Sequence, residues 1–351
     1  MEVNYIIVGQ GLCGTFLSWQ LTQQGKKVMV IDESKPGSAT KLASGVINPV
    51  TGRRIVRTWE IETIMPFAVN AYIALGNELG VELIRQCNIL DFHVTPQMRQ
   101  AFEDRLRTEQ AYLLIPENVA NWGSCFTTTF GIGEINPCWL IDLNMMLERW
   151  RKKLQENNSL LNEHFDVEAC EYLTDRVIYR DISAEKIFFC DGIGNIKNSL
   201  FNQLPYSPNK GEVIIVEIPG LPATNIYKQG ISIVPWKEGL FWVGSTYNWQ
   251  YDNLEPTSAF REKVEHQLSN WLKLPYKIVD HLVSERPANI ERRPFVGIHP
   301  KYSTIGILNG MGTKGCSLAP YFAAELKEHL INGKELNPLA DIQRFRNILL
   351  K

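Results

Sequence analysis

Tyr5-Ile6-Ile7-Val8-Gly9-Gln10-Gly11-Leu12-Cys13-Gly14 opens the chain, and Val28-Met29-Val30-Ile31-Asp32-Glu33 follows one helix later. An apolar run passing straight into glycines reads as a buried strand that ends in a tight turn. Gly9 allows the turn, Gly11 lets the backbone approach a pyrophosphate, and Gly14 lets helix and strand pack closely. The helix N-terminus then presents unpaired N–H groups to phosphate, and Asp32 can accept bonds from a ribose. Strand, glycine turn, helix, strand and acid in this order make a dinucleotide-binding unit; a purely structural glycine turn in another βαβ unit is the alternative.

Working outward, the first helix covers about 11–24 and buries Leu12, Phe16 and Leu21. A second helix is predicted over 61–86. An amphipathic helix over 139–154 carries Leu140, Leu143, Leu147, Trp150 and Leu154 on one stripe, after Asn136-Pro137 has stopped a strand. On that helix Arg149, Arg151, Lys152 and Lys153 read as a solvated face. Ile187-Phe188-Phe189-Cys190 is a buried strand running into Asp191-Gly192, a return to the nucleotide sheet. Strand-like runs at 213–218, 231–234 and 240–243 follow, the last two joined by the hairpin signal Trp236-Lys237-Glu238-Gly239. A helix near 257–272 carries Phe260, Val264, Leu268 and Trp271. Ile305-Gly306-Ile307-Leu308 then leads into Asn309-Gly310-Met311-Gly312-Thr313-Lys314-Gly315, with a final helix starting near Ala319 or Pro320.

The expected fold is α/β: a discontinuous Rossmann-like dinucleotide-binding domain (1–88, 140–205 and 285–351) threaded through a substrate domain (89–139 and 206–284) with a mixed or antiparallel sheet. A chain of 351 residues suffices for both. The net charge of −2 argues against nucleic acid or membrane as broad electrostatic partners. Seven scattered cysteines without a CxxC, and six histidines without ligand spacing, point to no disulfide frame and no metal, and fit a reducing, cytoplasmic setting. No apolar run is long enough to span a bilayer.

The second glycine loop selects the cofactor. A flavin ring gains negative charge at N1 and C2=O on reduction, and a helix N-terminus aimed at that edge supplies donors and a positive dipole end. The 310–315 loop can do this, with Lys314 adding a cation. An ordinary loop is the competing reading.

The sequence resembles the D-amino acid oxidase family of FAD enzymes, which includes glycine and sarcosine oxidases. The resemblance spans nearly the whole chain. It rests on Gly9-x-Gly11-x-x-Gly14, Asp32, Ala43-Ser44-Gly45, Ile233-Val234-Pro235 and Trp242-Val243-Gly244-Ser245-Thr246. It continues through Arg286-Pro287, Arg293-Pro294-Phe295-Val296-Gly297, and the 310–315 loop with Leu318-Ala319-Pro320. Gly310-Met311-Gly312-Thr313-Lys314-Gly315-Cys316 also resembles the loop in the FAD domain of the bifunctional bacterial tRNA modifier, which removes a carboxymethyl group from a wobble uridine. Motifs and resemblance together imply FAD contacts at Gly9, Gly11, Leu12, Cys13, Gly14, Asp32, Glu33, Ser44, Gly45, Val167, Asp191, Gly192, Gly310, Met311, Gly312, Thr313, Lys314 and Gly315. No cysteine lies near Arg286, where sarcosine oxidases attach flavin, and no histidine lies in 44–48, so the expected FAD is non-covalent.

The reaction implied is oxidation of a C–N bond beside a carboxylate, in a D-amino acid or N-substituted glycine, with oxygen or another carrier as electron acceptor. Arg286 is the expected carboxylate clamp, because a guanidinium fork matches a carboxylate; a salt bridge to Glu285 or Glu291 is its alternative. Tyr247 could bond substrate through its hydroxyl or serve in packing. Arg292 and Arg293 are weaker candidates. Two departures from glycine oxidases stand out: Ser232 replaces a tyrosine before the Ile-Val-Pro motif, and Thr313 replaces a second arginine, leaving part of the grip to Lys314 or Tyr247. Oxidation of a 2-hydroxy acid, wobble-uridine carboxymethyl removal and a non-catalytic flavoprotein remain open.

Overall fold

The computed structural model describes residues 1–351 except Arg53, Asn118 and Glu238. The strands Glu2–Val8, Val28–Ile31, Leu160–Leu161, Ile182–Phe189 and Ile305–Asn309 pair in parallel as one sheet, ordered 160–161, 28–31, 2–8, 182–189, 305–309. The long strand Ile182–Phe189 shares its far edge. Its first half pairs antiparallel with Val177–Tyr179, and its second half runs parallel to Ile305–Asn309. The register sets Val8 opposite both Ile31 and Phe189. The helix Leu12–Thr22 lies over this sheet against the helix Gly315–Asn332, buried nearly all round. Parallel strands covered on both faces read as unbroken apolar runs, which is why Tyr5–Val8 and Val28–Ile31 were so legible.

A second eight-stranded sheet runs Lys277–Arg286, Asn209–Glu217, Leu240–Gly244, Ile231–Lys237, Ile226–Gln229, Ile89–Phe92, Ile132–Ile135, Leu113–Leu114. It is mixed: only Ile226–Gln229 and Ile89–Phe92 are parallel. The helix Ser258–Trp271 packs Phe260, Val264, Leu268 and Trp271 onto one face, in a core with Phe92, Phe126 and Tyr227. The strands flanking the expected hairpin pair antiparallel, with Val234 opposite Trp242; Glu238 of that turn lies outside the described residues.

Three expectations need correction. Residues 139–154 are not one helix: Trp139–Ile141 is a strand paired on both edges, with Val46–Ile47 and Ile84–Gln86. The helix is Leu143–Glu156, started by Asp142, whose carboxylate accepts Met145 N–H at 2.9 Å. Leu140 fell on the helical stripe by coincidence of spacing. The helix expected over 61–86 stops at Leu79. Gly80 takes the left-handed cap at φ +67°, and Val81 N–H bonds back to the Gly76 carbonyl, at a position where any Cβ on Gly76 would crowd Val81. The last helix begins at Gly315, so Pro320 lies inside it. That proline has no N–H for the Cys316 carbonyl. The buried Tyr72 hydroxyl supplies one instead, at 3.0 Å. No helix among the described residues is long and apolar enough to cross a membrane, and no cluster among them could hold a metal ion.

Candidate active site

The C-terminal ends of the parallel strands bring together positions scattered through the chain. Gly9 follows Val8, Asp32 follows Ile31, Asp191 lies two residues past Phe189, and Gly310 follows Asn309. In open α/β sheets this edge is where ligands bind. A Cβ on Gly14 would overlap the Gly9 carbonyl, so glycine there is what lets the helix start so close to the strand. Gly11 caps the helix with no side chain of its own. Gly45, at φ +75°, passes so close to Ile141 that a Cβ would collide, and its carbonyl accepts Ile141 N–H at 2.8 Å. Ser44 precedes it on the loop tied to the second sheet by Trp242 Nε1, which donates to Leu42 O at 3.0 Å.

Asp32 is held by its own protein. Its carboxylate accepts Gln10 N–H and Ser34 N–H, each at 2.8 Å, and Arg151 Nη1 at 2.7 Å. Arg151 also reaches Gln10 Oε1, Asp32 O and Asn162 Oδ1. It is therefore not on a solvated helix face, as its basic neighbours suggested. It locks the glycine turn to the second strand. Glu33 is partly exposed, paired with Lys35 at 2.8 Å and beside His164. Val167 opens a short 3-10 turn and is half exposed. Asp191 lies against Gly9, bonded by Asn195, and burial pushes its carboxyl up to about 7.

The other glycine loop is clamped by two asparagines. Asn309 accepts Gly310 N–H and donates to Gly192 O; Asn289 donates to Gly310 O at 2.8 Å. Gly312 N–H reaches Pro287 O at 3.3 Å, tying this loop to the Arg286-Pro287 motif. Met311, Gly312 and Thr313 thus stand at the start of the helix Gly315–Asn332, whose N-cap, Lys314, offers no side-chain cap. Lys314 Nζ instead donates to Asn48 Oδ1 at 2.7 Å, and burial brings its pKa down to about 8.

Arg286 ends the strand Lys277–Arg286, opposite Asn209. Its Nη1 donates to Asn209 Oδ1 at 2.7 Å and Thr246 O at 3.0 Å, its Nη2 to Ser245 Oγ at 2.8 Å, and Tyr247 lays its ring over it at 4.8 Å. All three acceptors are neutral. A guanidinium has five donors, so the Nε–H and one Nη2 hydrogen have no partner among the described residues. Neither expected salt bridge forms: Glu285 bonds Tyr251, and Glu291 pairs with Arg344 at 3.1 Å. Burial lowers the Arg286 pKa without offering a counter-charge. Space for the guanidinium exists because residue 211 is glycine; a Cβ there would overlap it. Tyr247 is 55% exposed at the rim. Arg292 is exposed, and Arg293 stacks on Trp59 at 4.2 Å.

Sequence reasoning missed Asn209, Gly211, Asn48 and Arg151. Gly211 alone carried a signal: a glycine inside a strand marks a close approach.

Two uncapped helix starts on one sheet edge, glycines at 9, 14 and 45 where a Cβ would strike the backbone of the turns, and a buried cation without a counter-ion fit a bound flavin dinucleotide with an acidic substrate beside it. A family model for "FAD dependent oxidoreductase" matches residues 4–329, and the chain belongs to that family. It is 39% identical to "Uncharacterized oxidoreductase YurR" of Bacillus subtilis (strain 168), with 95% of each chain covered. Its fold matches the glycine oxidase of Bacillus cereus ATCC 14579 with a TM-score of 0.80, at 17% identity and with 99% and 98% of the chains covered. It also matches the iminodiacetate oxidase of Chelativorans sp. BNC1 with a TM-score of 0.76, at 17% identity, covering 97% and 98%. The chain is an FAD-dependent oxidoreductase, and its expected cofactor and class stand.

Proposed function

We propose that this enzyme oxidises the C–N bond of a small carboxylated amine, a D-amino acid or an N-substituted glycine, held by its carboxylate on Arg286. The observation that carries this reading is the unspent Nε–Nη2 edge of a guanidinium fixed at three points by neutral partners. A carboxylate there gains two parallel charge-assisted bonds and relieves a buried charge. Glycine oxidase and iminodiacetate oxidase among the structural neighbours bear names for amine acids, in line with this chemistry.

Held along the sheet edge by the loops at Gly9, Asp32, Asp191 and Gly310, a bound flavin would supply the hydride acceptor for the carbon between nitrogen and carboxylate. Arg286 fixes the carboxylate end of that carbon, and the wall of Asn209, Ser245 and Thr246 fixes Arg286. Lys314, at the uncapped helix start, supplies positive potential below about pH 8. Desolvation in the pocket lowers the pKa of the substrate's ammonium, so that its proton passes to water and no dedicated base is required. We assign residues 1–88, 140–205 and 285–351 to the FAD-binding domain and 89–139 with 206–284 to the substrate domain. The electron acceptor is oxygen or another small carrier.

Anaerobic mixing of the holoenzyme with glycine, sarcosine, iminodiacetate, D-alanine and, as hydroxy counterparts, glycolate and D-lactate tests the reading through loss of the flavin's visible absorbance. Amine acids should bleach it and hydroxy acids should not. Arg286→Met should weaken the reacting amine by about 2–4 kcal/mol. Bleaching by hydroxy acids alone, or an unchanged apparent constant in Arg286→Met, refutes the assignment.

A further inference from the structure

Beneath Arg286, on the opposite face of the sheet and on the neighbouring strand Asn209–Glu217, lies a polar layer that the flavin site does not explain. In Asn209-Lys210-Gly211-Glu212 the side chains alternate. Asn209 and Gly211 face the guanidinium; Lys210 and Glu212 face away and are 3% and 4% exposed. Two buried charges are costly unless they are fully bonded. Apart from His281, their partners lie in one segment, residues 245–257, which also carries every hydrogen-bond and ring partner of Arg286 except Asn209. Glu212 N–H donates to Thr246 Oγ1 at 2.8 Å, and Thr246 N–H returns to Glu212 O at 3.3 Å. Lys210 and Asn248 exchange two backbone bonds at 2.8 and 3.0 Å. Lys210 Nζ donates to Glu255 O. Finally the Glu212 carboxylate accepts Thr257 N–H at 2.7 Å, the Thr257 hydroxyl at 3.0 Å and His281 Nε2 at 3.1 Å. The Lys210 and Glu212 head groups are 4.0 Å apart.

We infer that Glu212, supported by Lys210, is a positioning residue for the anion site: it pins both ends of 245–257, so that Ser245 Oγ and Thr246 O aim the free edge of Arg286. This rests on the reading of Arg286 as the carboxylate clamp. Without the pinning carboxylate, the segment that also bears the exposed Tyr247 and Trp249 has few buried side chains of its own to hold it. A glutamine at 212 keeps the shape. It keeps only one oxygen for the Thr257 and His281 donors, as a neutral and weaker acceptor, and it leaves Lys210 without a counter-charge.

Acetate is the probe, titrated into FAD-loaded protein and followed by the flavin difference spectrum, with FAD affinity measured in parallel. Glu212→Gln should raise the acetate dissociation constant at least tenfold while FAD affinity stays within twofold. A merely structural role would weaken both together, and that result, or an unchanged acetate constant, overturns the inference. Should Glu212→Gln fail to fold, Thr257→Ala removes the hydroxyl from the other side and is to show the same selective loss, with Thr257→Ser restoring it; acetate binding unchanged in Thr257→Ala then overturns the inference. Arg286→Met separates the two readings. If it leaves acetate binding intact, the clamp itself is misassigned. If it abolishes binding while Glu212→Gln does not weaken it, only the positioning role fails.

Discussion

A methyl group added at Gly211 perturbs the anion site without altering any charge. In a strand interior at ordinary φ, Gly→Ala reduces the freedom of the unfolded chain and favours the fold by about 0.5–1 kcal/mol when nothing is hit. At Gly211 the new Cβ would overlap Nη2, Cζ and Nη1 of Arg286. The obstacle is the end of a flexible side chain, so the strand stays and the guanidinium retreats, by about 1.5 Å to regain ordinary contact. That retreat breaks or stretches three bonds to a charged group, each worth about 1.5–3 kcal/mol. The lost bonds outweigh the chain-freedom term, so urea unfolding of the holoenzyme should show a destabilisation of about 1–4 kcal/mol, according to how many of the three bonds survive. Anion binding has no such offset. Acetate affinity, read from the flavin spectrum, should fall by at least ~2 kcal/mol, about thirtyfold. Gly123→Ala, where a Cβ meets nothing within 4 Å, should leave it unchanged. An acetate constant for Gly211→Ala equal to that of the parent would show that the guanidinium does not define the site.

Three further outcomes follow from the geometry. Arg151→Met should weaken FAD binding on the order of tenfold or more by loosening Asp32 and the glycine turn, as measured by FAD fluorescence on titration into apoprotein; equal affinity would mean that the turn holds without the lock. His93 is buried with both ring nitrogens unpartnered, and desolvation lowers its pKa. The unfolded chain therefore takes the proton first as pH falls, so the contribution is complete above about pH 6.5 and lost below it. His93→Leu should reduce the slope of stability between pH 5 and 6.5 by up to about 1.4 kcal/mol per unit in denaturant titrations, and an unchanged slope would assign it elsewhere, for instance to His299, which is shifted the same way. Lys314 is charged only below about 8, so flavin reduction by a saturating amine should show a step there in stopped-flow experiments. Lys314→Met should abolish that step, and its persistence would assign the titration to another group.

The parts of this molecule that were legible are those where one physical demand dominates. Tyr5–Val8 and Ile187–Cys190 are buried on both faces and show it as unbroken apolar runs; Gly9 and Gly14 answer steric demands that no other residue meets. Trp139–Ile141 misled because a strand paired on two edges and the first turn of an amphipathic helix share the same apolar spacing, and only the Asp142 cap divides them. Arg151 misled because it stands in a basic run with the exposed Arg149 and Lys152; what binds it is Asp32, 119 residues away. The lining of the anion site was hidden for the same reason. Asn209, Ser245 and Thr246 are ordinary polar residues until Asn209–Glu217 pairs with Lys277–Arg286 on one edge and Leu240–Gly244 on the other and sets them around Arg286.

The convergence of residues 9, 32, 191 and 310 on one sheet edge also orders events during synthesis. The strand Ile305–Asn309 completes the parallel sheet through Ile187–Phe189, which in turn pairs with the first strand made. Until the last sixth of the chain has left the ribosome, the nascent protein holds an incomplete nucleotide cradle while the intervening strands already have partners of their own. A chain that stops short of Ile305–Asn309 lacks both the 310–315 loop and the strand that covers Ile187–Phe189, and so leaves that apolar sheet edge open.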